Sequence, residues 1–376
     1  MEQVNGKKDL QGTGFDQRET VFERAARGEL GERINKIWTK EDMPDPLSRS
    51  LFGYTYEGNC LTRVLSNFVD GPVNVKRTQV TNEVEMSTRI KEVAKALGAD
   101  LVGITRLDPK YVYSHHGQGY DREKGTYGQK TLLNAKYAIV IACEQDLMKV
   151  RSSPSYIDEF EIGHIYHKVA VIVCQLAAFI REMGYEAMAH HHRRQYVMHV
   201  PLAVEAGLGE LGRNGILVTP EFGPRVRLAT VTTNLPLAVD SKVNIGLEAF
   251  CDICQKCVKN CPSGAIPSGH YEQVDGGKRW LINPDRCFKF WLAQPERWFG
   301  CSNCVKSCSW NKRNVFYHKW AVWMVANLPF LNRFLLLIDD IIYGKYPHWH
   351  VEWLGYQSTP LKLAQREMHK RENEKE

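Results

Sequence analysis

Eight cysteines between Cys251 and Cys308 are the residues whose type and spacing point most directly to chemistry. The first run reads Cys251-x2-Cys254-x2-Cys257-x3-Cys261-Pro262, and the second Cys287-x13-Cys301-x2-Cys304-x3-Cys308. Thiolates are soft ligands, suited to iron–sulfur clusters and to zinc. Closely spaced cysteines can wrap one iron–sulfur cubane while nearby backbone N–H groups point at its sulfurs, and Pro262 fixes the direction of the fourth. Sets of four cysteines also suit structural zinc, but the x2, x2, x3 spacing closed by Cys261-Pro262 favours [4Fe–4S] clusters. Disulfide pairing would compete with metal ligation and is set aside. Of the 11 cysteines, Cys143 and Cys174 lie in apolar runs and read as buried thiols, and Cys60 stands alone.

The first run is the bacterial ferredoxin pattern, and in two-cluster ferredoxins the fourth cysteine ligates the other cluster. That rule gives Cys251, Cys254, Cys257 and Cys308 to one cluster and Cys261, Cys287, Cys301 and Cys304 to the other. The second run departs from the pattern in its long loop, which holds Phe288, Trp291 and Trp298, and in Ser309 after the last cysteine. Two clusters make a wire; they do not name a reaction.

The elements that would position this wire lie mostly upstream. Met86, Ile90, Val93 and Leu97 recur at helical spacing and end at Gly98. Residues 100–105 read as a strand. Tyr137 to Cys143 is continuously apolar, as a strand buried on both faces would be. Residues 161–183 form a long amphipathic helix, and 185–189 and 227–233 read as further strands. Alternating strands and helices over residues 83–239 indicate an α/β or α+β core. Residues 1–81 read as an irregular arm, with helical character only from Thr20 to Trp38. The apolar stretch Trp320 to Tyr343 is interrupted by Asn327, Pro329, Asn332, Arg333, Asp339 and Asp340, so it does not read as one membrane span. We expect a pair of buried helices split at Pro329; a surface for docking on a membrane protein is the alternative.

Between the core and the cysteines lies a glycine-rich stretch holding Gly207, Gly209, Gly212, Arg213, Asn214, Gly215 and Thr219, followed by Pro224, Arg225 and Arg227. Alone, the glycines permit close backbone approach to something flat or to a phosphate. Together with the following strand, both cysteine runs, the helix holding Tyr166, and the tail from Leu328 to Phe334 with Asp339 and Asp340, the stretch resembles the corrinoid-dependent reductive dehalogenases. The resemblance covers about residues 83–344. It implies an α+β fold, with an α/β-type cobalamin-binding core at 83–240 and an inserted ferredoxin-like domain with two [4Fe–4S] clusters at 241–315. The arm at 1–82 and a C-terminal helical segment at 316–376 packing on the core complete the chain. It further implies base-off cobalamin contacted by His199, Gly207, Gly209, Gly212, Arg213, Asn214, Gly215 and Thr219. Tyr166 is then the proton donor, assisted by Arg225, with Arg227 as the substitute.

The same region resembles epoxyqueuosine reductase, a cobalamin and iron–sulfur enzyme acting on transfer RNA, in Tyr166 to Lys168, Gly207 to Thr219, Cys251 to Pro262 and Cys301 to Lys312. That family carries an Asp proton donor where this chain has Ile165, which has no proton to give. A two-cluster electron carrier is the third reading. The run His190, His191 and His192 cannot share one metal on an extended segment, because neighbours alternate faces; His192 is the one expected at the pocket, the others in a partly solvated turn. Trp38, Tyr54, Tyr56, Trp291 and Trp298 are candidates for an apolar pocket wall.

Composition sets outer limits. The chain has 376 residues, 43% hydrophobic and 24% charged, as an ordinary globular protein does. A net charge of +6 is too mild to argue for nucleic acid. Partners expected from the resemblance are an organohalide, a reduced donor (ferredoxin, flavodoxin or a membrane quinol system), a membrane anchor protein and a second copy as homodimer. No apolar signal segment is visible in residues 1–39, so the expected location is the cytoplasm, or the outer face of the cytoplasmic membrane for a processed exported form.

Overall fold

The computed structural model describes residues 10–32, 34, 61–274, 277–293, 301–345, 352–353 and 356–357. Asn82 opens helix α1 (Glu83–Ala96) by accepting from the N–H groups of Val84 and Glu85. Strands β1 (Leu101–Arg106) and β2 (Tyr137–Glu144) follow. Helix α2 (Tyr156–Glu182) begins earlier than its apolar periodicity predicts, because Ser155 caps it through the N–H of Asp158. Strand β3 (Ala187–His190), helix α3 (His199–Glu205), the hairpin strands β4 (Glu210–Leu211) and β5 (Leu217–Val218), and strand β6 (Val226–Thr233) complete the core.

The main sheet runs β1-β2-β6-β3, and every pairing in it is antiparallel, which makes the core α+β. β2 is buried from Tyr137 to Cys143, as its unbroken apolar run predicts. Its side chains alternate: Ile139, Ile141 and Cys143 face α1 and α2, while Ala138, Val140 and Ala142 face α3. α2 contributes Ile165, Val169, Ile172, Val173, Leu176 and Ile180 to the first face. It is long and apolar enough to cross a membrane, yet much of it is buried against the sheet.

The cysteine segment supplies α4 (Leu247–Cys254), α5 (Lys256–Lys259), α6 (Pro284–Ala293) and α7 (Asn303–Lys306). Between α4 and α5, Gln255 has φ 50°, a left-handed conformation costly for a side chain with a Cβ; it turns the chain between Cys254 and Cys257. The arm braces this segment. Its short helix Val21–Ala26 sets Phe22 on Phe288 at 5.2 Å and Arg24 on Asp285 at 2.9 Å, both on α6. Gln17, buried, accepts from the Gly117 N–H and donates to the Gln195 carbonyl, tying the arm to the core.

Helices α8 (Phe316–Asn327) and α9 (Asn332–Tyr343) bend by 113° across Pro329, as expected for a helix pair split there. Two parts of the expectation are corrected. The pair packs on Leu247 and Phe250 of α4, through Val325, Leu335 and Leu336, rather than on the sheet core. It is also buried on one side only, with Phe316, Trp320, Phe330 and Ile341 exposed.

Ile141 lies at the centre of the sheet, fully buried beneath α2. Ile141→Ala is expected to lower unfolding free energy by about 2–5 kcal/mol, measured as a fall in the denaturant midpoint at unchanged slope.

Candidate functional site

Cys251, Cys254, Cys257 and Cys308 line one cavity of about 340 Å³, with Gly212, Arg213, Asn214, Val218, Phe250 and Trp310 around them. Burial pushes the thiols of Cys251 and Cys257 up to about 12 and those of Cys254 and Cys308 upward as well. The second set forms a separate group. Burial raises Cys287 to about 11 and raises Cys301 and Cys304 further, and after burial the neighbouring thiols of the set add to the shift: Cys261 on Cys287, and Cys261 and Cys287 on both others. The two groups follow the expected ligand sets, although Cys304 also feels Cys257. Among the described residues, no three His, Cys, Asp or Glu side chains converge on a point to hold one metal ion.

The surroundings fit an anionic group. Lys256, Lys306 and Arg151 are buried, and with Lys312 they line a second cavity that includes Cys308. Facing them, Asp339 and Asp340 bind Lys256, and Asp339 also binds Lys312. Buried cations beside these thiols suit a thiolate-ligated iron–sulfur cluster, whose net charge is negative. Burial lowers Lys306 to about 8.

The glycine-rich stretch serves this pocket from within the protein. A Cβ on Gly207 would lie 2.3 Å from the Ser241 carbonyl oxygen, one on Gly209 2.2 Å from that of Val218, and one on Gly215 2.6 Å from Ile282. At these three positions the missing side chains make room for the chain itself. Thr219 is buried, with its hydroxyl oxygen accepting from the Phe222 N–H. Arg213, expected at the cofactor, instead clamps the cysteine segment: it donates to the carbonyls of Cys251, Pro267 and Gly269 and pairs with Asp252. Gly212 and Asn214 line the cysteine cavity beside it.

Tyr166, half-buried on α2, has its ring centre 4.3 Å from that of His192, and the Arg227 guanidinium lies 5.1 Å from the Tyr166 ring centre. Arg225, the expected assistant, is committed elsewhere. It is buried, donates to the carbonyls of Phe222 and Lys312 at 2.8 and 2.7 Å, and pairs with Glu144. Arg225 stands just before β6 and Arg227 is its second residue, and Arg227 is the one over Tyr166. Ile165 is buried in the sheet core.

Four histidines gather nearby as neutral imidazoles. Burial pushes His190 and His192 well down, His191 to about 3 and His199 to about 4. His190 and His191 are fully buried, which corrects the expectation of a partly solvated turn: β3 ends on His190, whose Nε2 meets the Thr232 hydroxyl at 2.9 Å, and His191 follows in a buried turn bridged to Arg194. His199 Nδ1 meets Thr230 Oγ1 at 2.8 Å, but His199 Nε2 and His192 Nδ1 are buried without a partner. Such orphaned nitrogens mark a place where a further polar group fits. Asp158, eight residues before Tyr166 on α2, was not anticipated; burial raises its carboxyl to about 7. Nothing in its sequence neighbourhood distinguishes it. Trp291 packs on Phe288 and Phe22; Trp38, Tyr54, Tyr56, Trp298 and Cys60 lie outside the described residues.

A model described as 4Fe-4S dicluster domain matches residues 250–312. Over 325 residues the chain is 31% identical to tetrachloroethene reductive dehalogenase of Desulfitobacterium hafniense, covering 75% of this chain and 56% of that protein. It is 28% identical over 265 residues to epoxyqueuosine reductase of Cyclobacterium marinum, covering 61% of this chain and 80% of that one. Among solved structures, a catabolic reductive dehalogenase superposes with a TM-score of 0.77 at 24% identity, over 96% of this chain and 52% of the other. The chain thus spans little more than half the length of the dehalogenases it matches, and the structural likeness shows a shared fold.

The neutral histidines set a pH dependence. An unfolded chain binds protons at about pH 6.5, whereas folded His199 does so only near 4. Stability from this residue is therefore full above pH 6.5 and is lost as pH falls toward 4. Between pH 6.5 and 5 the loss is expected to reach about 2 kcal/mol, read by urea titration, and His199→Asn should flatten that limb.

Proposed function

The chain is related by sequence and by fold to the reductive dehalogenases, and from that premise we propose that it removes halide reductively from an organohalide. In this reading two [4Fe–4S] clusters, held by the two cysteine sets, pass single electrons from an external one-electron donor toward a base-off corrinoid. When bound, the corrinoid supplies a strongly reducing cobalt centre for breaking the carbon–halogen bond. The balance is simple: one carbon–halogen bond breaks, one carbon–hydrogen bond forms, two electrons and one proton are consumed, and halide leaves.

The observation that carries the reading is the placement of Tyr166 between Arg227 and His192. Arg227 sets a positive charge beside the ring of Tyr166, the side chain that would give its proton to carbon. His192 is neutral, so it adds no second charge and is no rival acid at neutral pH. His199, with its unpartnered Nε2, is the residue we assign to the corrinoid. Arg225 and Arg213 act by holding the cysteine segment against the core. The epoxyqueuosine alternative is disfavoured because Ile165 is aliphatic and buried where that family carries its acid.

Two experiments test the proposal. Tyr166→Phe should lower dehalogenation by about a hundredfold or more, with iron and corrinoid contents unchanged; unaltered turnover would remove Tyr166 from this role. Arg227→Gln should lower turnover as well, whereas Arg225→Gln should show first as a lower melting temperature. Separately, Cys308→Ala should reduce iron from about eight to about four atoms per chain, with the loss confined to one cluster's electron-spin resonance signal.

A further inference from the structure

The α8–α9 hairpin has two apolar sides, and the protein uses one. Val325, Leu335 and Leu336 face inward onto α4. The other side presents Phe316 (75% exposed), Trp320 (64%), Phe330 (78%), Phe334 (59%) and Ile341 (75%). Phe316 and Trp320 stand four residues apart, and Phe334 and Ile341 seven, so each helix carries a continuous outer stripe. A contiguous apolar patch of this kind marks an interaction surface.

The charges select the occupant. The only acidic residues from Cys301 to His350 are Asp339 and Asp340. Both are turned inward, where they bind Lys256, and Asp339 also binds Lys312. The charges left on the outside, Arg313, Lys319 and Arg333, are all positive and exposed, and Lys345, also exposed, lies 3.9 Å from Asp340. A second copy seated on the same patch would bring like charges together. Anionic headgroups would neutralise them, and Tyr317, Trp320 and Trp323 are the residue types that settle at headgroup level. Neither helix crosses a bilayer: 12 residues reach about 18 Å, short of the roughly 30 Å hydrocarbon core, and the 113° bend breaks any longer span.

We infer that the outer face of this hairpin is a seat for an anionic lipid surface, on which the two helices lie flat. This inference is independent of the dehalogenation proposal and needs no turnover to test. Purified cluster-loaded protein is floated with phosphatidylcholine vesicles, with and without phosphatidylglycerol. The protein should rise with the anionic vesicles and bind neutral ones about fivefold more weakly or worse. Phe334→Ser with Ile341→Ser should abolish flotation at unchanged iron content and melting temperature, because neither side chain reaches the core. Lys319→Glu with Arg333→Glu should remove the preference for anionic lipid, and Val75→Ser, an exposed apolar residue elsewhere, should change nothing. Wild-type protein that stays soluble with every vesicle, or a Phe334/Ile341 variant that floats as well as wild type, overturns the inference. So does a dimer, seen by light scattering, that the Phe334/Ile341 changes dissolve without any lipid binding, since the face would then belong to a second copy.

Discussion

Buried thiols are the constraint on which the architecture depends. Burial raises the titration of seven of the eight clustered cysteines. In apolar surroundings these side chains stay protonated unless a metal displaces the proton. A segment with short helices and little apolar core of its own gains its organisation from what those thiols bind. The buried Lys256, Lys306 and Arg151 match this, because cations beside the thiols suit the negative charge of a thiolate-bound group.

That segment must also be fixed to the sheet, and three connections do so. Arg213 gathers carbonyls from both ends of the first cysteine run's surroundings. Arg225 joins β6 to Lys312, four residues past Cys308. The arm reaches across to α6 beside Cys287. All three reach their partners by buried or half-buried ionic hydrogen bonds or ring contacts, which fix geometry more than they add net stability. Electron transfer depends on distance, so rigid attachment matters more to a relay than binding strength does.

Much of this was legible in the sequence because it is local. The cysteine spacing, the apolar run of β2 and the periodicities of α1 and α2 are properties of consecutive residues, and the structure places them where the pattern predicts. What was not legible was direction. Arg225 and Arg227 differ by two positions at the start of β6, and only the sheet's packing decides which lies over Tyr166. The glycines suggested room for a ligand, but the bodies filling that room are Ser241, Val218 and Ile282, two of them distant in sequence. His190 and His191 are polar enough to be solvated, yet the end of β3 and the turn after it bury both. Composition counts apolar residues without saying whether they face inward, which is why the α8–α9 pair was read as buried.

The half-buried position of Tyr166 follows from the same division between local and tertiary effects. α2 must present Ile165 and Val169 to the sheet to close the core. The helical turn then leaves Tyr166 off that face, toward the turn that carries His192 and the β6 residue Arg227. A residue deeper in the core would lose access to any substrate, and one farther out would lose the guanidinium. Packing of the aliphatic neighbours therefore sets the orientation of the phenol, and a change at Ile165 or Val169 would reach the site through helix rotation before it reached stability through cavity formation. The acid that the chain lacks at position 165 could not be supplied by substitution alone, because the side chain there points into the sheet.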